Sequence, residues 1–174
     1  GYPGHKYDSA DRNNFTELIK ALRQELGNDR LLTFAAGGFV KYLEQSVDWD
    51  AVMPLVDFVN LMTYDLVGGY ATVTGHHTPL HDYQPGQEST SRCVNWLLDK
   101  KVPAGKLIIG AAMYARVWEN VAGINNGLYQ AGKFKRGVAY SGFKKYFSDT
   151  PGFKYYWDSM ARAPYYYNAS LKLF

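Results

Sequence analysis

The sequence is poor in cysteine, in long apolar runs and in excess charge of either sign. A single cysteine, Cys93, among 174 residues excludes an internal disulfide and a cysteine-based zinc site. No apolar stretch reaches the roughly 20 residues that a membrane-spanning helix needs, so we expect no membrane partner. The net charge is only +3 and the basic residues form no continuous run, so we expect no nucleic-acid partner.

Tyrosine is the residue that stands out in the composition, with 15 copies against nine phenylalanines and four tryptophans. A tyrosine side chain joins a flat apolar ring to a polar tip, which suits half-wet surfaces such as sugar-binding grooves. A tyrosine-rich core explains the same count, so composition leaves both alternatives open. The hydrophobic fraction of 47% and the charged fraction of 20% are typical of a folded chain of one-domain size.

Short apolar runs alternate with helical patterns in the first two thirds of the chain. In chain order the pattern predicts a helix over 9–26, strands over 31–36 and 57–64, a helix over 89–101 and a strand over 106–114. Buried strands that alternate with helices indicate a parallel sheet with right-handed crossovers, which places the chain in the α/β class. After residue 116 the sequence becomes rich in Gly, Asn, Tyr and Lys, which predicts an antiparallel α+β insertion with a short helix near 141–148.

Polar side chains follow two of the predicted strands. Tyr64 and Asp65 end one strand, and Tyr114 and Arg116 end the next. Reacting groups of parallel α/β folds lie at the carboxyl ends of strands, so these four side chains would offer phenols, a carboxylate and a guanidinium fork to a polar ligand. The structural alternative is that Asp65 caps a turn and Arg116 merely pairs with it.

Three histidines near the middle of the chain invite comparison with a metal site. His77 and His81 stand four residues apart, and His76 adjoins them. Pro79 prevents the helix that would bring such a pair to one face, and no carboxylate at zinc spacing completes the set. Gly37-Gly38 lacks the Lys and Ser/Thr of a phosphate loop. We therefore expect neither a metal nor a cofactor.

The segment 60–65 (NLMTYD) resembles the sixth-strand motif of glycoside hydrolase family 18 chitinases. Three further stretches follow the family's order: 74–80 (TGHHTPL) is similar to the next loop, 110–116 (GAAMYAR) to the seventh-strand motif, and the region after Trp118 to the small insertion domain. The leading Tyr2-Pro3-Gly4 looks like the stretch that follows the catalytic strand. Four motifs in order make the chain resemble the C-terminal half of such a chitinase.

The resemblance implies a fold and the division of the chain into two domains. It implies a partial (β/α)8 TIM barrel, about strands five to seven, over 1–118, since a complete barrel needs about 250 residues. It implies an incomplete chitinase insertion domain over 119–174. A secreted or extracellular location, or a periplasmic one, follows from the same resemblance because insoluble chitin lies outside cells.

The resemblance also implies a reaction and its residues. Family members hydrolyse β-1,4-linked N-acetylglucosamine polymers with retention, using the substrate's own acetamido oxygen as nucleophile. By this likeness Tyr64 would hydrogen-bond the acetamido oxygen and Asp65 would bind the sugar near the cleaved bond. Met62 would line the floor beneath that sugar, while Tyr114 and Arg116 would contact neighbouring sugars. The implied ligand is chitin or chitooligosaccharides.

Two parts of the family pattern are absent. The fourth-strand motif Asp-x-x-Asp-x-Asp-x-Glu, whose Glu is the general acid, does not occur, and neither do the eighth strand and its Trp. We therefore expect no hydrolysis of chitooligosaccharides by these 174 residues alone. An open sheet leaves strand edges unpaired, so the expected protein partner is the N-terminal half of the barrel.

A non-hydrolytic chitin-binding lectin of the same fold is the alternative. A lectin keeps the groove and loses the acid, so Met62, Tyr64 and Asp65 favour the enzyme without excluding the lectin. The residue at the Glu position upstream of Gly1 distinguishes the two.

Overall fold

A computed structural model describes residues 6–84 and 86–174, so that Tyr2-Pro3-Gly4 lies outside the described residues. The helices of the described chain are α1 (Asp11–Leu26), α2 (Val40–Gln45), α3 (Trp49–Val52) and α4 (Thr90–Asp99). Its strands are β1 (Thr33–Gly37), β2 (Phe58–Met62), β3 (Leu107–Ile109), β4 (Tyr114–Glu119), β5 (Lys133–Ala139), β6 (Phe153–Asp158) and β7 (Ala163–Asn168).

The chain divides into two compact units that alternate along the sequence. The first unit contains residues 6–62 and 92–110, and the second contains the described residues of 63–91 together with 111–174. The predicted boundary at residue 118 follows from the family resemblance and stays a prediction, as do the partial barrel and the insertion domain.

A parallel three-stranded sheet forms the first unit, with β2 between β1 and β3. Val59 and Leu61 of the central strand are fully buried. Cys93 and Leu97 of α4 are also fully buried and belong to the same core. The parallel pairing and the buried helix confirm the predicted α/β class.

Helix α1 confirms the helix predicted over 9–26. Ile19 is buried, and Phe15 and Leu26 pack against the same core. Leu18 and Leu22 are 52% and 37% exposed. The Arg23 guanidinium donates to the Leu55 carbonyl at 2.7 Å and to Asp57 at 2.8 Å, which ties the helix to the segment before β2.

Two antiparallel hairpins, β4–β5 and β6–β7, form the framework of the second unit. The antiparallel character predicted after residue 116 is thus observed, and the predicted helix near 141–148 is a 3-10 turn at 140–142 followed by a π-helical turn, Lys144–Ser148. Stacked ring pairs such as Tyr83 with Tyr129 and Tyr156 with Tyr165 help to pack this unit. Part of the tyrosine excess is therefore structural.

The strand predicted over 106–114 is wrong at its carboxyl end. The parallel strand β3 stops at Ile109, and Tyr114 begins β4, which pairs with β5 instead. Tyr114 and Arg116 therefore do not end a parallel strand. The apolar run continues across both strands, and periodicity alone does not reveal that the pairing partner changes.

Candidate active site

Asp65 is the centre of the polar cluster in the second unit. It lies three residues after β2 in the chain, and its φ of 58° places it in the left-handed region, which a non-glycine residue adopts at a cost of about 1–3 kcal/mol. The Arg116 guanidinium binds both oxygens of the carboxylate: Nε donates to Oδ1 at 2.7 Å, and Nη2 lies 2.5 Å from Oδ2. The Tyr114 side chain also favours the ionised carboxylate through hydrogen bonding, which lowers the pKa of Asp65.

These contacts keep Asp65 ionised. Burial alone would raise the pKa of Asp65, but the hydrogen bonds from Arg116 and Tyr114 and the charge of Arg116 lower that pKa below its ordinary value. Burial and the same carboxylate raise the pKa of Tyr114 to about 12, so Tyr114 remains a hydrogen-bond donor at neutral pH. The cluster thus combines a fixed negative charge with fixed donors.

The predicted site residues are partly brought together. Tyr114 lies below the Arg116 guanidinium at 5.4 Å, and the Tyr64 ring meets the Tyr114 ring edge-on with centroids 6.1 Å apart. Met62 belongs to the first unit, where it ends β2 opposite Gly37 and is half-buried. The cluster of the second unit therefore contains Tyr64, Asp65, Tyr114 and Arg116.

A cavity of about 420 Å³ opens beside this cluster within the second unit. Tyr114, Arg116 and His77 line its polar side. Tyr140, Phe143 and other aromatic residues line much of the rest. Ring faces beside a few fixed polar groups are a common setting for a small ligand.

His77 is the residue of the site that the sequence did not identify as such. Its ring lies against the Tyr114 ring with centroids 5.1 Å apart, and its Nδ1 lies 3.7 Å from Oδ1 of Asp65. Burial is the main cause that lowers the pKa of His77 below its ordinary value; Asp65 opposes this effect. The sequence signal for this role was the position of His77 in the loop that follows Asp65. That position was considered only as part of a possible metal site.

His76 points to a different carboxylate from His77. Its ring is buried, and Nε2 lies 2.9 Å from Oδ2 of Asp158 in β6. Asp158 also accepts from the backbone of Met160 and Ala161 and from the Tyr129 hydroxyl. The adjacent histidines therefore lie beside separate carboxylates. No group of three or more His, Cys, Asp or Glu residues among the described residues has the geometry of a metal site.

The two buried histidines predict how stability depends on pH. Burial lowers the pKa of both His76 and His77 below the ordinary value of 6.5. The unfolded chain then binds more protons than the folded chain just below pH 6.5, so the stability present above that pH is lost as the pH falls. We expect the free energy of unfolding, measured with urea, to decrease by up to about 1.4 kcal/mol per pH unit for each histidine.

The variant His76→Gln tests the origin of this slope. Its amide retains a donor for Asp158 but does not titrate, so we expect a shallower dependence on pH than in the unsubstituted chain. An unfolding free energy that is constant from about pH 7.5 to about pH 5 would contradict the prediction.

Comparison with known proteins identifies the family. Residues 1–174 match the family model for Glycosyl hydrolases family 18. Chitinase A1 of Niallia circulans is 29% identical over all of this chain and 28% of its own length. Chitinase C of Streptomyces lividans is 35% identical over 69% of this chain and 22% of its own. The chain belongs to glycosyl hydrolase family 18.

Solved structures agree with this assignment. A glycoside hydrolase family 18 N-acetylglucosaminidase from Paenibacillus barengoltzii has a TM-score of 0.84 at 34% identity, covering 97% of this chain and 52% of its own. Chitinase ChiW from Paenibacillus sp. strain FPU-7 has a TM-score of 0.90 at 34% identity, covering 99% of this chain and 16% of its own. The chain thus spans about half or less of the length of these relatives. None of its described helices has both the length and the apolar character needed to cross a membrane.

Proposed function

We propose that this chain is part of a secreted or periplasmic chitin-degrading glycoside hydrolase and that it holds chitooligosaccharides at Asp65. The observation that carries the proposal is the Asp65 carboxylate gripped by Arg116 and hydrogen-bonded by Tyr114 beside a ring-lined cavity. Family membership supports the reaction class. The lectin alternative is not favoured, because the relatives described above are named chitinases or an N-acetylglucosaminidase.

The proposed roles follow from the chemistry of each group. The Tyr64 hydroxyl donates to the acetamido oxygen of the sugar and orients it for attack on the anomeric carbon. Asp65 accepts from the acetamido N–H or a nearby hydroxyl, and its charge stabilises the positive charge that develops on the sugar. Tyr114 and Arg116 contact the neighbouring sugar units, and the role of Met62 beneath a sugar ring rests on the family resemblance.

The reaction proceeds with retention in this proposal. A carboxylic acid protonates the leaving glycosidic oxygen while the acetamido oxygen bonds to the anomeric carbon and displaces that oxygen. Water then attacks the same carbon, releases the acetamido group and returns a proton to the acid. The acid is the Glu of the family's fourth-strand motif, so the chain alone binds the sugar without cleaving it.

The sheet of the first unit supports a protein partner of the same fold. Strands β1 and β3 are edge strands of the described sheet, and Ile108 and Ile109 in β3 are 44% and 54% exposed. Unpaired edges with apolar side chains favour addition of further strands. The N-terminal half of a TIM barrel, over strands one to four, is the proposed partner.

Calorimetric titration with chitotetraose tests the binding function. We expect the full chain to bind chitotetraose and to bind cellotetraose, which lacks acetamido groups, at least tenfold more weakly. Asp65→Asn is expected to weaken chitotetraose binding about tenfold or more, because a charge-assisted hydrogen bond contributes about 1.5–3 kcal/mol. The exposed Asp149→Asn serves as the matched control and leaves the affinity unchanged. Equal affinity for the two sugars, or for the two Asp variants, would overturn the proposal.

A further inference from the structure

His77 carries an unusual polar atom. Among the described residues, its Nδ1 is the one buried side-chain nitrogen or oxygen without a hydrogen-bond partner. Its neighbour in space is Oδ1 of Asp65 at 3.7 Å, which is too long for a hydrogen bond. A buried polar atom without a partner costs about 1–3 kcal/mol, so its persistence beside a carboxylate requires an explanation.

The other ring nitrogen sets the tautomer of the neutral imidazole. Hydrogen bonding to the Tyr114 backbone favours the protonated ring. Because Nδ1 has no hydrogen-bond partner, we assign this interaction to Nε2, which then carries the proton when the ring is neutral. Nδ1 then directs a lone pair towards a carboxylate oxygen. A proton on Nδ1 replaces this repulsion between two acceptors with attraction between a cation and a carboxylate, which favours closer approach of Nδ1–H to Oδ1.

We propose that His77 is a positioning residue that controls how Asp65 is shared between the protein and the sugar. With His77 neutral, the described protein donor to Oδ1 of Asp65 is Nε of Arg116, and the oxygen has room for a donor from the ligand. With His77 protonated, Nδ1–H competes with the ligand for Oδ1 of Asp65 and adds a positive charge beside Arg116. The inference rests on the proposed sugar binding at Asp65.

The groups that face His77 determine the pH at which its ring becomes protonated. Asp65 favours the protonated ring, whereas Arg116 and His76 oppose it, and the Tyr114 carbonyl favours it as an acceptor. Burial opposes protonation most strongly, so the pKa of His77 lies below its ordinary value of 6.5. Asp65 is already ionised in this range, because its own pKa is lowered from 3.8. Sugar affinity is therefore highest near neutral pH and declines in mild acid.

Titration with chitotetraose at several pH values tests the proposal on the full chain. We expect the affinity to fall roughly tenfold between about pH 7.5 and about pH 5, the loss that corresponds to about 1.4 kcal/mol. In His77→Asn, which has no titrating ring, we expect the affinity to change little between the two pH values, whatever its value at neutral pH. His81→Asn, in an exposed position, is the control and is expected to retain the full dependence. An affinity that is independent of pH, or an equal dependence in His77→Asn, overturns the proposal.

Imidazole NMR separates this proposal from the proposed function. The pKa of His77 is read from its ring signals without any ligand, in the unsubstituted chain and in Asp65→Asn. We expect Asp65→Asn to lower that pKa, because the variant removes the charge that favours the protonated ring. No change would overturn the pairing even if sugar binds. Failure of the unsubstituted chain to bind chitotetraose at every pH would overturn the proposed function even if the pairing holds.

Discussion

Replacement of Gly127 by alanine is expected to lower the free energy of unfolding by about 3 kcal/mol, measured by urea denaturation. Gly127 has a φ of +81°, and a Cβ built on it overlaps Cδ2 of Tyr167 and lies 2.7 Å from its Cε2. The Tyr167 ring has little freedom to move away, because it is buried and its hydroxyl donates to the Val121 carbonyl at 2.9 Å. Overpacking costs about 1–3 kcal/mol and a left-handed backbone about 1 kcal/mol more.

Two glycines provide matched controls for this effect. Gly27 has a φ of +66° and a ψ of −167° but open space at its Cβ position, so Gly27→Ala measures backbone strain alone, about 1–3 kcal/mol. Gly105 has neither a positive φ nor a neighbour within 4 Å, so Gly105→Ala should change stability little. If Gly127→Ala destabilises no more than Gly105→Ala, the Tyr167 ring does not constrain the site as described.

Replacement of Arg116 by lysine is expected to weaken chitotetraose binding by about ten- to a hundredfold. Lysine keeps the charge but cannot grip both oxygens of Asp65, and a hydrogen bond to a charged group contributes about 1.5–3 kcal/mol. The substitution also removes a flat group that covers the Tyr114 and Phe134 rings at 5.4 and 5.5 Å. The same variant should raise the pKa of Asp65, observed through its carboxyl carbon by NMR, because the hydrogen bonds that lower that pKa are lost.

Arg136→Lys is the matched control for Arg116→Lys. Arg136 also lies over an aromatic ring, that of Tyr146 at 4.3 Å, and it is exposed. We expect its replacement to leave both sugar affinity and the pKa of Asp65 unchanged. Equal effects of the two substitutions would show that loss of a surface guanidinium, rather than loss of the fork, causes the change.

Much of the fold was predictable because its signals are local. Apolar spacing predicts α1, and a short apolar run predicts β2, whose Val59 and Leu61 are fully buried. The exposure of Leu18 was not predictable from spacing, and neither were the bonds of Arg23 to Leu55 and Asp57, about thirty residues away in the chain.

The candidate site was predictable in its members but not in its geometry. Two short motifs carry Asp65 and Arg116. Their side chains form an ion pair in the structure although they are 51 residues apart in the chain. Both motifs were expected at the ends of parallel strands, whereas Arg116 lies within an antiparallel hairpin. The sequence places His77 in the loop after Asp65, but the unpartnered Nδ1 at 3.7 Å from that carboxylate exists only in the folded chain.

The alternation of the two units along the chain fixes the order in which the site is assembled during synthesis. Strand β3, Leu107–Ile109, is the last element of the parallel sheet to leave the ribosome. Asp65 has emerged by then, but Arg116 and the strand that pairs with β4, Lys133–Ala139, have not. Because a chain emerges from its N-terminus, the Asp65 carboxylate becomes available before the Arg116 guanidinium with which it pairs. The Asp65–Arg116 pair can therefore form only after all three strands of the described parallel sheet have been synthesised.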